Sequence, residues 1–518
     1  MDAGQLKRLL RLGARTAREL SAPLAPSTAA SDVRDRLRNR ERRFLEVLDV
    51  CVWPHRDSPV RRLLDWAGYD PPGLARRIQR DGLEQTLSEL YRSGVRFDAD
   101  ELAGRKPIVR DGLRFPPRPQ AFLNPWARAT GFPARTSGTS GPAKTVAYGW
   151  PLFREEAAEE SLLLECHGLG GAPLALWYPL PPGIAGVHNL LLHWKMGQAP
   201  ARWFSQIPAP GLRSAPELRA ALEGLFALGR LRGSPRARHV PPESAIEVAR
   251  WLANGARRGE RRVLKTFASS AVRMARAAND AGLDLSGQTV FAGGEPLTDE
   301  RARLLRSVGL SVHARYVATE SGLIGGGCGR GQSAHAMHLY ADRLSVLVDG
   351  QTVGREARTG ALSFTSLSAS SPEVLLNAEL GDRATARRRD CGCALGQAGL
   401  DLELSAVHAP DKVAAAGVKF TRTELFDLAH SLVTRHGGIG DDLQLAWSPG
   451  EDGPARITIT LSPRVHVETE AFRQELLQSL AGLPGGPLAQ QLWRREDLDV
   501  VRDEPVWTSG QKQTPWIS

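Results

Sequence analysis

The sequence predicts an α/β protein in which a large unit of alternating strands and helices is followed by a small α+β unit. Three observations carry that expectation. Between about residues 150 and 400, strand-like runs such as Leu174-Ala-Leu-Trp-Tyr178 and Ala361-Leu-Ser-Phe-Thr-Ser366 alternate with helical segments such as Glu243-Ser-Ala-Ile-Glu-Val-Ala-Arg-Trp-Leu252; such alternation argues an α/β core. The C-terminal stretch from near residue 410 has its own pattern of two strands and two flanking helices. At 518 residues the chain also exceeds the ~250 to 300 residues at which a single hydrophobic core stops growing.

In chain order, residues 1–100 read as helical. Arg43-Phe-Leu-Glu-Val-Leu-Asp-Val50, Pro59-Val-Arg-Arg-Leu-Leu-Asp-Trp66 and Leu83-Glu-Gln-Thr-Leu-Ser-Glu-Leu-Tyr91 each repeat apolar residues three or four apart. Phe115-Pro-Pro-Arg-Pro119 reads as a connector. Thr145-Val-Ala-Tyr148 reads as a strand, and the helix after it starts at Trp150-Pro151, with proline in its first turn and acids following. Leu283–Val290 reads as a strand approaching a turn at Gly293-Gly294-Glu295-Pro296. Near the end, Leu443–Trp447 and Ala455–Leu461 flank a Pro-Gly-Glu-Asp-Gly turn and read as a hairpin, with helices at Glu424–Leu432 and Glu468–Leu477.

Composition narrows the class. A hydrophobic fraction of 42% against 24% charged residues suits a folded globular protein. No apolar run approaches the ~18 to 20 residues of a membrane span, so no membrane contact is expected. Five cysteines, Cys51, Cys166, Cys328, Cys391 and Cys393, do not suggest a disulfide scaffold in so long a chain, and a reducing cytoplasm is the expected location. The net charge of +10 raises the question of nucleic acid. The basic residues are spread over the whole chain without a helix-turn-helix, RRM or finger spacing, so no nucleic-acid partner is expected. The local excess Arg34–Arg43 reads as the solvated face of a helix. The Arg- and Ala-rich first thirty residues lack a secretory apolar core and read as an N-terminal helix.

The stretch richest in chemistry is Thr136-Ser137-Gly138-Thr139-Ser140-Gly141-Pro-Ala-Lys144. Gly138 and Gly141 let backbone N–H groups turn toward an anion, the four hydroxyls add donors, and Lys144 adds positive charge, so the loop suits phosphate. The bland alternative is a flexible Gly/Ser surface loop. Gly138, Lys144 and Thr145 nearly satisfy the G-x-x-x-x-G-K-[ST] spacing of a P-loop, with Ala143 where the second glycine belongs. A P-loop needs a strand before it and a helix starting at its Lys-Thr. Here extended chain precedes and a strand follows, which favours a loop between two strands and leaves a P-loop NTPase as the runner-up.

The loop resembles the phosphate loop of adenylate-forming enzymes, the acyl-CoA and aryl-CoA synthetase superfamily. Three further segments follow in the family's order. Phe291-Ala-Gly293-Gly294-Glu295-Pro296-Leu-Thr298 is similar to the family's G-G-E-P-L turn, Tyr316-Val-Ala318-Thr319-Glu320 to its Y-G-x-T-E motif, and Gly381-Asp382 to its G-D pair. Taken alone each is a turn, a strand end or a hairpin dipeptide. The resemblance covers about residues 100–518 and implies an adenylating domain with mixed sheets over residues 101–406. It further implies a hinge over 407–412 and a small mobile C-terminal domain over 413–518, with residues 1–100 as a helical segment ahead of them.

What the resemblance implies for the site follows residue by residue. Thr136, Ser137, Gly138, Thr139, Ser140, Gly141 and Lys144 would bind ATP phosphates. Gly294, Glu295, Pro296 and Tyr316 would line the nucleotide site, Thr319 would face phosphate, Glu320 would hold Mg²⁺, and Asp382 would take the ribose hydroxyls. Gly293, Ala318 and His188 would line the acid pocket, of which residues 186–198, 266–297 and 316–324 would be part. Lys512, in Thr508-Ser-Gly-Gln-Lys512, resembles the family's C-terminal catalytic lysine, although its spacing carries an extra glutamine and an ordinary tail is the alternative. Asp411 matches the hinge pivot and Gly417-Val-Lys419 the glycine turn. His408 stands where the family places an arginine, and Asn377-Ala378 replaces an Arg-Tyr pair, which puts nucleotide affinity in question.

Within the superfamily the chain is most similar to the phenylacetate-CoA ligase-like branch, some members of which bind structural zinc. Cys328, His338, Cys391 and Cys393 stand at the corresponding positions, and three thiolates with one imidazole suit a closed tetrahedral zinc site. His335 is a competing ligand, free thiols beside a surface histidine are the bland alternative, and Cys51 and Cys166 lie far from the pattern in sequence. For His188, at i, i+5 from His193, the alternative is one packed and one exposed histidine on an apolar helix. The resemblance implies an ATP- and Mg²⁺-dependent ligase that joins a carboxylic acid, by preference aromatic, to coenzyme A. Loading of a carrier-protein phosphopantetheine, acyl-protein synthesis and a catalytically silent nucleotide-binding protein are the rivals, and homodimer formation is left open.

Overall fold

The computed structural model describes residues 18–19, 21–116, 118–130, 132–135, 145–180, 184–208, 224, 227, 233, 236–409, 412–415, 418–448, 456–480, 498–507 and 516–517. They form two compact units. One comprises residues 1–297 and 306–407, the other Thr298–Leu305 with residues 408–518.

In the large unit, helices at Ala29–Arg38, Arg40–Cys51, Pro59–Trp66, Pro71–Asp81 and Leu83–Arg92 follow the apolar spacing. Local chemistry fixes where they start. Ser58 and Asp70 each cap a helix by accepting from the backbone N–H of Arg61 and Gly73, with proline at the first helical position. The basic run Arg34–Arg43 is not simply a solvated face. Arg36 bonds Asp342 at 2.7 Å, Arg43 bonds Glu155 at 2.7 Å and Arg40 pairs with Glu84, all partly buried, because carboxylates from distant segments meet this face once the chain folds.

β1 (Ile108–Arg110) and β2 (Leu113–Phe115) pair antiparallel, as do β3 (Phe132–Arg135) and β4 (Thr145–Tyr148), with Arg135 opposite Thr145. The main sheet takes twelve strands: β5 (Leu174–Trp177), β6 (Arg202–Ser205), β7 (Arg238–His239), β8 (Val263–Phe267), β9 (Thr289–Gly293), β10 (Ser311–Ala318), β11 (Gly322–Gly326), β12 (Met337–Leu339), β13 (Leu344–Val348), β14 (Arg358–Ser366), β15 (Ala378–Arg388) and β16 (Leu402–His408). Its order is β13-β14-β15-β16-β12-β11-β10-β9-β8-β5-β6-β7. The run β7-β6-β5-β8-β9-β10 is parallel throughout. β10–β11, β11–β12, β12–β16, β14–β15 and β13–β14 are antiparallel. The sheet is therefore mixed. β5, β8 and β9 are buried at every position, as expected of parallel strands covered on both faces.

β9 starts later than its sequence predicts. Residues 283–288 turn instead, because Asp284 Oδ1 accepts from the Ser286 backbone and hydroxyl and Gly287 takes φ +78°.

The small unit pairs β17 (Lys412–Ala415) with β18 (Val418–Thr421). It builds a second sheet from β19 (Leu443–Ser448), β20 (Arg456–Leu461), β21 (Leu498–Arg502) and β22 (Trp516–Ile517) in the order β21-β20-β19-β22. β19 and β20 are antiparallel in register Leu443 to Leu461, so the hairpin partners pair as expected. Helices Arg422–Arg435 and Thr469–Ser479 contribute Ala429, Leu432, Phe472 and Leu476 to an apolar core with Leu443, Leu445, Ile457, Ile459 and Leu461. The fold is α/β with a small α+β unit.

Candidate active site and cysteine–histidine cluster

In the parallel part of the sheet the chain runs outward from β5 to β6 and β7 and then returns to β8 on the other side of β5. Ligands of open α/β sheets bind at such a reversal, outside the carboxyl ends of the strands. The residues there are Tyr178 after β5, Phe267 ending β8, Gly293–Glu295 ending β9 and Ala318–Glu320 ending β10. Tyr178 and Phe267 meet edge to face at 5.0 Å. Glu295 ties β9 to the helix after β8, accepting from Ser269 N at 2.7 Å and Ser269 Oγ at 2.8 Å. Gly294 takes φ +72°, which lets the backbone turn directly after the strand.

Two of the motif segments meet. Tyr316 Oη donates to Asp382 Oδ2 at 2.5 Å across 66 positions of sequence, and burial together with the Asp382 charge pushes the Tyr316 phenol well above its ordinary range. Asp382 lies inside β15, not in a hairpin, with Gly381 at φ +96°. A third segment joins through Tyr148, the last residue of β4, whose hydroxyl donates to the Thr319 carbonyl at 3.0 Å. Burial, with the charges of Glu156, Glu320 and Glu373, keeps that phenol protonated. The backbone of Glu320 accepts from Glu373 N at 3.1 Å.

The helix Trp150–Cys166 lies behind this region and buries Glu156, Glu159 and Glu160 completely. Each has basic partners. Glu156 Oε2 meets His188 Nε2 at 2.7 Å while its Oε1 accepts from Leu323 N at 2.8 Å; burial works against its charge, but His188 and Arg343 hold its carboxyl below the ordinary range. Glu159 receives two bonds from Arg343, at 2.5 and 2.9 Å. Burial opposes the Arg343 charge, yet Glu159 and Glu156 make it more basic than a free guanidinium. Glu160 bonds Lys265 at 2.5 Å and Arg315 at 2.8 Å. Against the cost of burial these two cations pull Glu160 down to about 2, while burial and Arg315 push Lys265 down to about 7. Lys265 Nζ also meets His193 Nε2 at 2.6 Å. His188 and His193 are thus both buried, and neither is the exposed member of the expected pair: carboxylate and lysine partners line both faces of their helix, Ala185–Lys195.

His188 also packs its ring against Tyr148 and Phe153, at 5.2 and 5.3 Å. Sequence reading missed Gln206, which follows β6, is 2% exposed and donates Nε2 to Ser270 Oγ at 2.7 Å; its buried Oε1 has no hydrogen-bond partner. No motif marks it. Asn377 takes φ +46° and donates to the Leu87 and Val95 carbonyls, so this departure from the family pattern fastens β15 to the N-terminal helices. His408 ends β16 where the large unit stops. The loop Thr136–Lys144, Asp411, Gly417 and Lys512 lie outside the described residues. β3 and β4 flank that loop as an antiparallel pair and Thr145 is already strand, so no helix starts at Lys144-Thr145 as a P-loop requires.

A second cluster lies elsewhere on the sheet. Cys328 follows β11, His338 is in β12, and Cys391 and Cys393 lie between β15 and β16. Their four ligand atoms all fall within 4.8 Å of one another. Cys328 Sγ and Cys391 Sγ are 3.9 Å apart and Cys393 Sγ is 3.3 Å from His338 Nε2; tetrahedral zinc with ~2.3 Å bonds to sulfur and ~2.0 Å bonds to nitrogen gives ~3.8 Å between two sulfurs and ~3.5 Å between sulfur and nitrogen. His338 Nδ1 lies 2.6 Å from the Leu400 carbonyl; donation there leaves Nε2 as the ligand atom. Cys393 caps the turn Ala394–Gln397 by accepting from Gly396 N, and a Cβ on Gly396 would stand 2.0 Å from the Cys391 carbonyl. His335 is not in the cluster; its Nδ1 meets Ser333 Oγ and Ala406 N. Cys166, remote in sequence, ends the helix that begins at Trp150, and that helix packs against the turn Ala394–Gln397. Cys51 is buried beside Asn124.

No protein-family model matches the chain, and no curated protein matches it. Among solved structures it is similar to 2-hydroxyisobutyryl-CoA ligase in complex with 2-HIB-AMP and CoA in the thioesterification state, at 15% identity over 93% of this chain and 89% of that one, TM-score 0.46. It is similar to the anthranilate CoA ligase AuaEII in complex with anthranoyl-AMP, at 12% identity over 73% and 64%, TM-score 0.44, and to McyG A-PCP complexed with phenylalanyl-adenylate, at 12% over 74% and 64%, TM-score 0.43. At these scores the likenesses carry no conclusion about what this chain binds. Among the described residues, no helix is long and apolar enough to cross a membrane.

Proposed function

We propose that the chain is an adenylate-forming enzyme, and within that class an acid–thiol ligase whose acceptor is coenzyme A. The observation that supports it most is the meeting of the motif segments at the strand ends. Tyr316 bonds Asp382, and Tyr148, leaving the hydroxyl- and glycine-rich loop, bonds the backbone of Thr319. In this reading an acid carboxylate attacks the α-phosphorus of ATP and expels pyrophosphate, and a thiol then displaces AMP. Both steps bring negative charge together, so oriented donors and cations must precede them.

Each residue then has a task. Thr136–Lys144 holds the outer phosphates, Gly294–Pro296 and Tyr316 the base side, and Asp382, oriented by Tyr316, the ribose. Thr319 faces the α-phosphate, and Glu320 offers a carboxylate to Mg²⁺, which would neutralise phosphate charge when bound. Gly293, Ala318 and His188 line the acid pocket, with Glu156 fixing the His188 ring. Lys512 supplies the mobile positive charge, and residues 407–412, His408 among them, form a hinge. Cys328, His338, Cys391 and Cys393 fit a structural zinc, which would clamp β11 and β12 to the β15–β16 connection.

Carboxylate-dependent exchange of labelled pyrophosphate into ATP tests the class. Activity with a panel of aryl and alkyl acids is expected, and none across the panel would overturn the reading. Asp382→Ala is expected to cut exchange by about 100-fold through lost positioning. Thioester formation with CoA, measured against a carrier protein, decides the acceptor.

A further inference from the structure

Gln206 is the first residue after β6 and is 2% exposed. Its backbone is fixed on both sides, because Ser205 Oγ accepts from Leu180 N at 3.2 Å and donates to the Ile207 carbonyl at 2.6 Å. Its side chain is fixed as well. Nε2 donates at 2.7 Å to Ser270 Oγ, in the first turn of the helix Ala268–Asp280 that leaves the carboxyl end of β8. The neighbouring Ser269 is bonded by Glu295, so that turn is tied to both β6 and β9. The oxygen and nitrogen of one amide move together, and holding Nε2 therefore holds the carbonyl acceptor Oε1 over the same turn. Other polar side chains at these strand ends are bonded: Thr266 Oγ1 donates to the Trp177 carbonyl at 2.9 Å and Ser269 Oγ to Glu295 at 2.8 Å. Gln206 Oε1 is buried with no hydrogen-bond partner among the described residues. An acceptor left unpaired in an interior is costly, and one that persists calls for a partner from outside the chain.

We propose that Gln206 Oε1 selects the acid, accepting a hydrogen bond from a hydroxyl or amino group at the end of the molecule opposite its carboxylate; this rests on the ligase reading above. The acceptor is a neutral amide, which suits a neutral O–H or N–H; a buried ammonium needs a carboxylate. Strand order sets the length of the acid. Its reacting carboxylate belongs beside Thr319 and Glu320, after β10, whereas Ser270 follows β8, two strands away. At ~4.8 Å per strand the separation is about 10 Å. An acid of benzoate or phenylacetate size with a para donor spans it once the hydrogen bond to Oε1 is included. Tyr178 and Phe267, edge to face at the same strand ends, put aromatic surface where the middle of such a molecule lies. An acid with a methyl group in place of the donor leaves Oε1 unpaired and is rejected, as sites built for a hydroxyl reject analogues that lack it.

The test uses the full chain and measures acid-dependent exchange of labelled pyrophosphate into ATP at sub-saturating acid. Acids are compared in pairs of similar shape: 4-hydroxybenzoate and 4-aminobenzoate against 4-methylbenzoate, 4-hydroxyphenylacetate against 4-methylphenylacetate, and 6-hydroxyhexanoate against heptanoate. Wild type is expected to favour the donor-bearing member of at least one pair by about tenfold or more. Gln206→Met, which keeps the length of the side chain and removes the acceptor, is expected to bring that ratio within about twofold of unity. General damage to the fold lowers both members alike and leaves the ratio unchanged. Ser270→Ala, which frees the amide, is expected to lower the ratio part of the way. Ratios near unity for every pair in wild type, or a wild-type ratio that survives Gln206→Met, would overturn the proposal. Exchange driven only by acids without a donor supports the ligase reading and overturns this one. Exchange with no acid at all overturns both.

Discussion

The two compact units bury charge to different extents. The core cluster of the small unit is aliphatic and aromatic, with Leu443, Leu445, Ile457, Ile459 and Leu461 on its strands and Phe472, Leu476, Ala429 and Leu432 on its helices, and the buried Asp441, Asp442, Gln444 and Ser462 lie outside that cluster. The large unit carries a comparable apolar interior but threads through it the chain Arg36, Asp342, Glu159, Arg343, Glu156, His188 and the group Glu160, Lys265, Arg315. Apolar burial is non-directional and tolerates small changes of shape. A buried ion pair costs several kcal/mol per ion to desolvate and is recovered only when each charge meets its partner. The difference teaches that the large unit depends on geometric register at the helix Trp150–Cys166, and the small unit on volume.

The largest break in that comparison is Arg343→Ala, which strands Glu159 in a dry interior and is expected to cost about 3–5 kcal/mol in urea unfolding followed by tryptophan fluorescence. A loss under about 1 kcal/mol would show that water or a neighbour replaces the guanidinium. Next comes Lys265, whose ammonium is pushed down to about 7. Above pH 7 the folded chain gives up that proton while the unfolded lysine keeps it to about 10.4, so the unfolded state binds more protons and stability rises between these values. Lys265→Met is expected to flatten that rise in unfolding midpoints taken from pH 7 to 10; an unchanged slope would place the titration elsewhere. The smallest effect is Ile459→Val in the small unit, about 1 kcal/mol and independent of pH. A pH-dependent loss there would mean that a titrating group is coupled to this apolar cluster.

Much of the small unit was legible beforehand. Ile457, Ile459 and Leu461 alternate with Arg456, Thr458 and Thr460 in register with β19, and period-two alternation is the direct imprint of one buried face. The helix starting at Trp150 was also legible from Pro151 and the acids after it. Its burial was not. Glu156, Glu159 and Glu160 stand at i, i+3 and i+4, and only Arg343, His188, Lys265 and Arg315, 28 or more positions away in sequence, make that stripe an interior. The same holds for Arg36, Arg40 and Arg43. At the candidate site, the residue types around Tyr316, Glu320 and Asp382 could be picked out from the chain, but the bond between Tyr316 and Asp382 and the unpartnered Oε1 of Gln206 depend on strands brought together from different parts of the sequence.

The cysteines divide in the same way. Cys391-Gly-Cys393, Cys328 and His338 stand out as metal-ligand types by their identity, which the sequence determines without help. That His338 rather than His335 joins the thiols, and that the helix Trp150–Cys166 packs against the turn after Cys393, was decided by tertiary structure. Sequence determines which elements form and which side chains can ionise or ligate, because those are local properties of a residue and its neighbours. The fold decides which of them meet, because contact between distant segments depends on strand order and helix packing that no local pattern encodes.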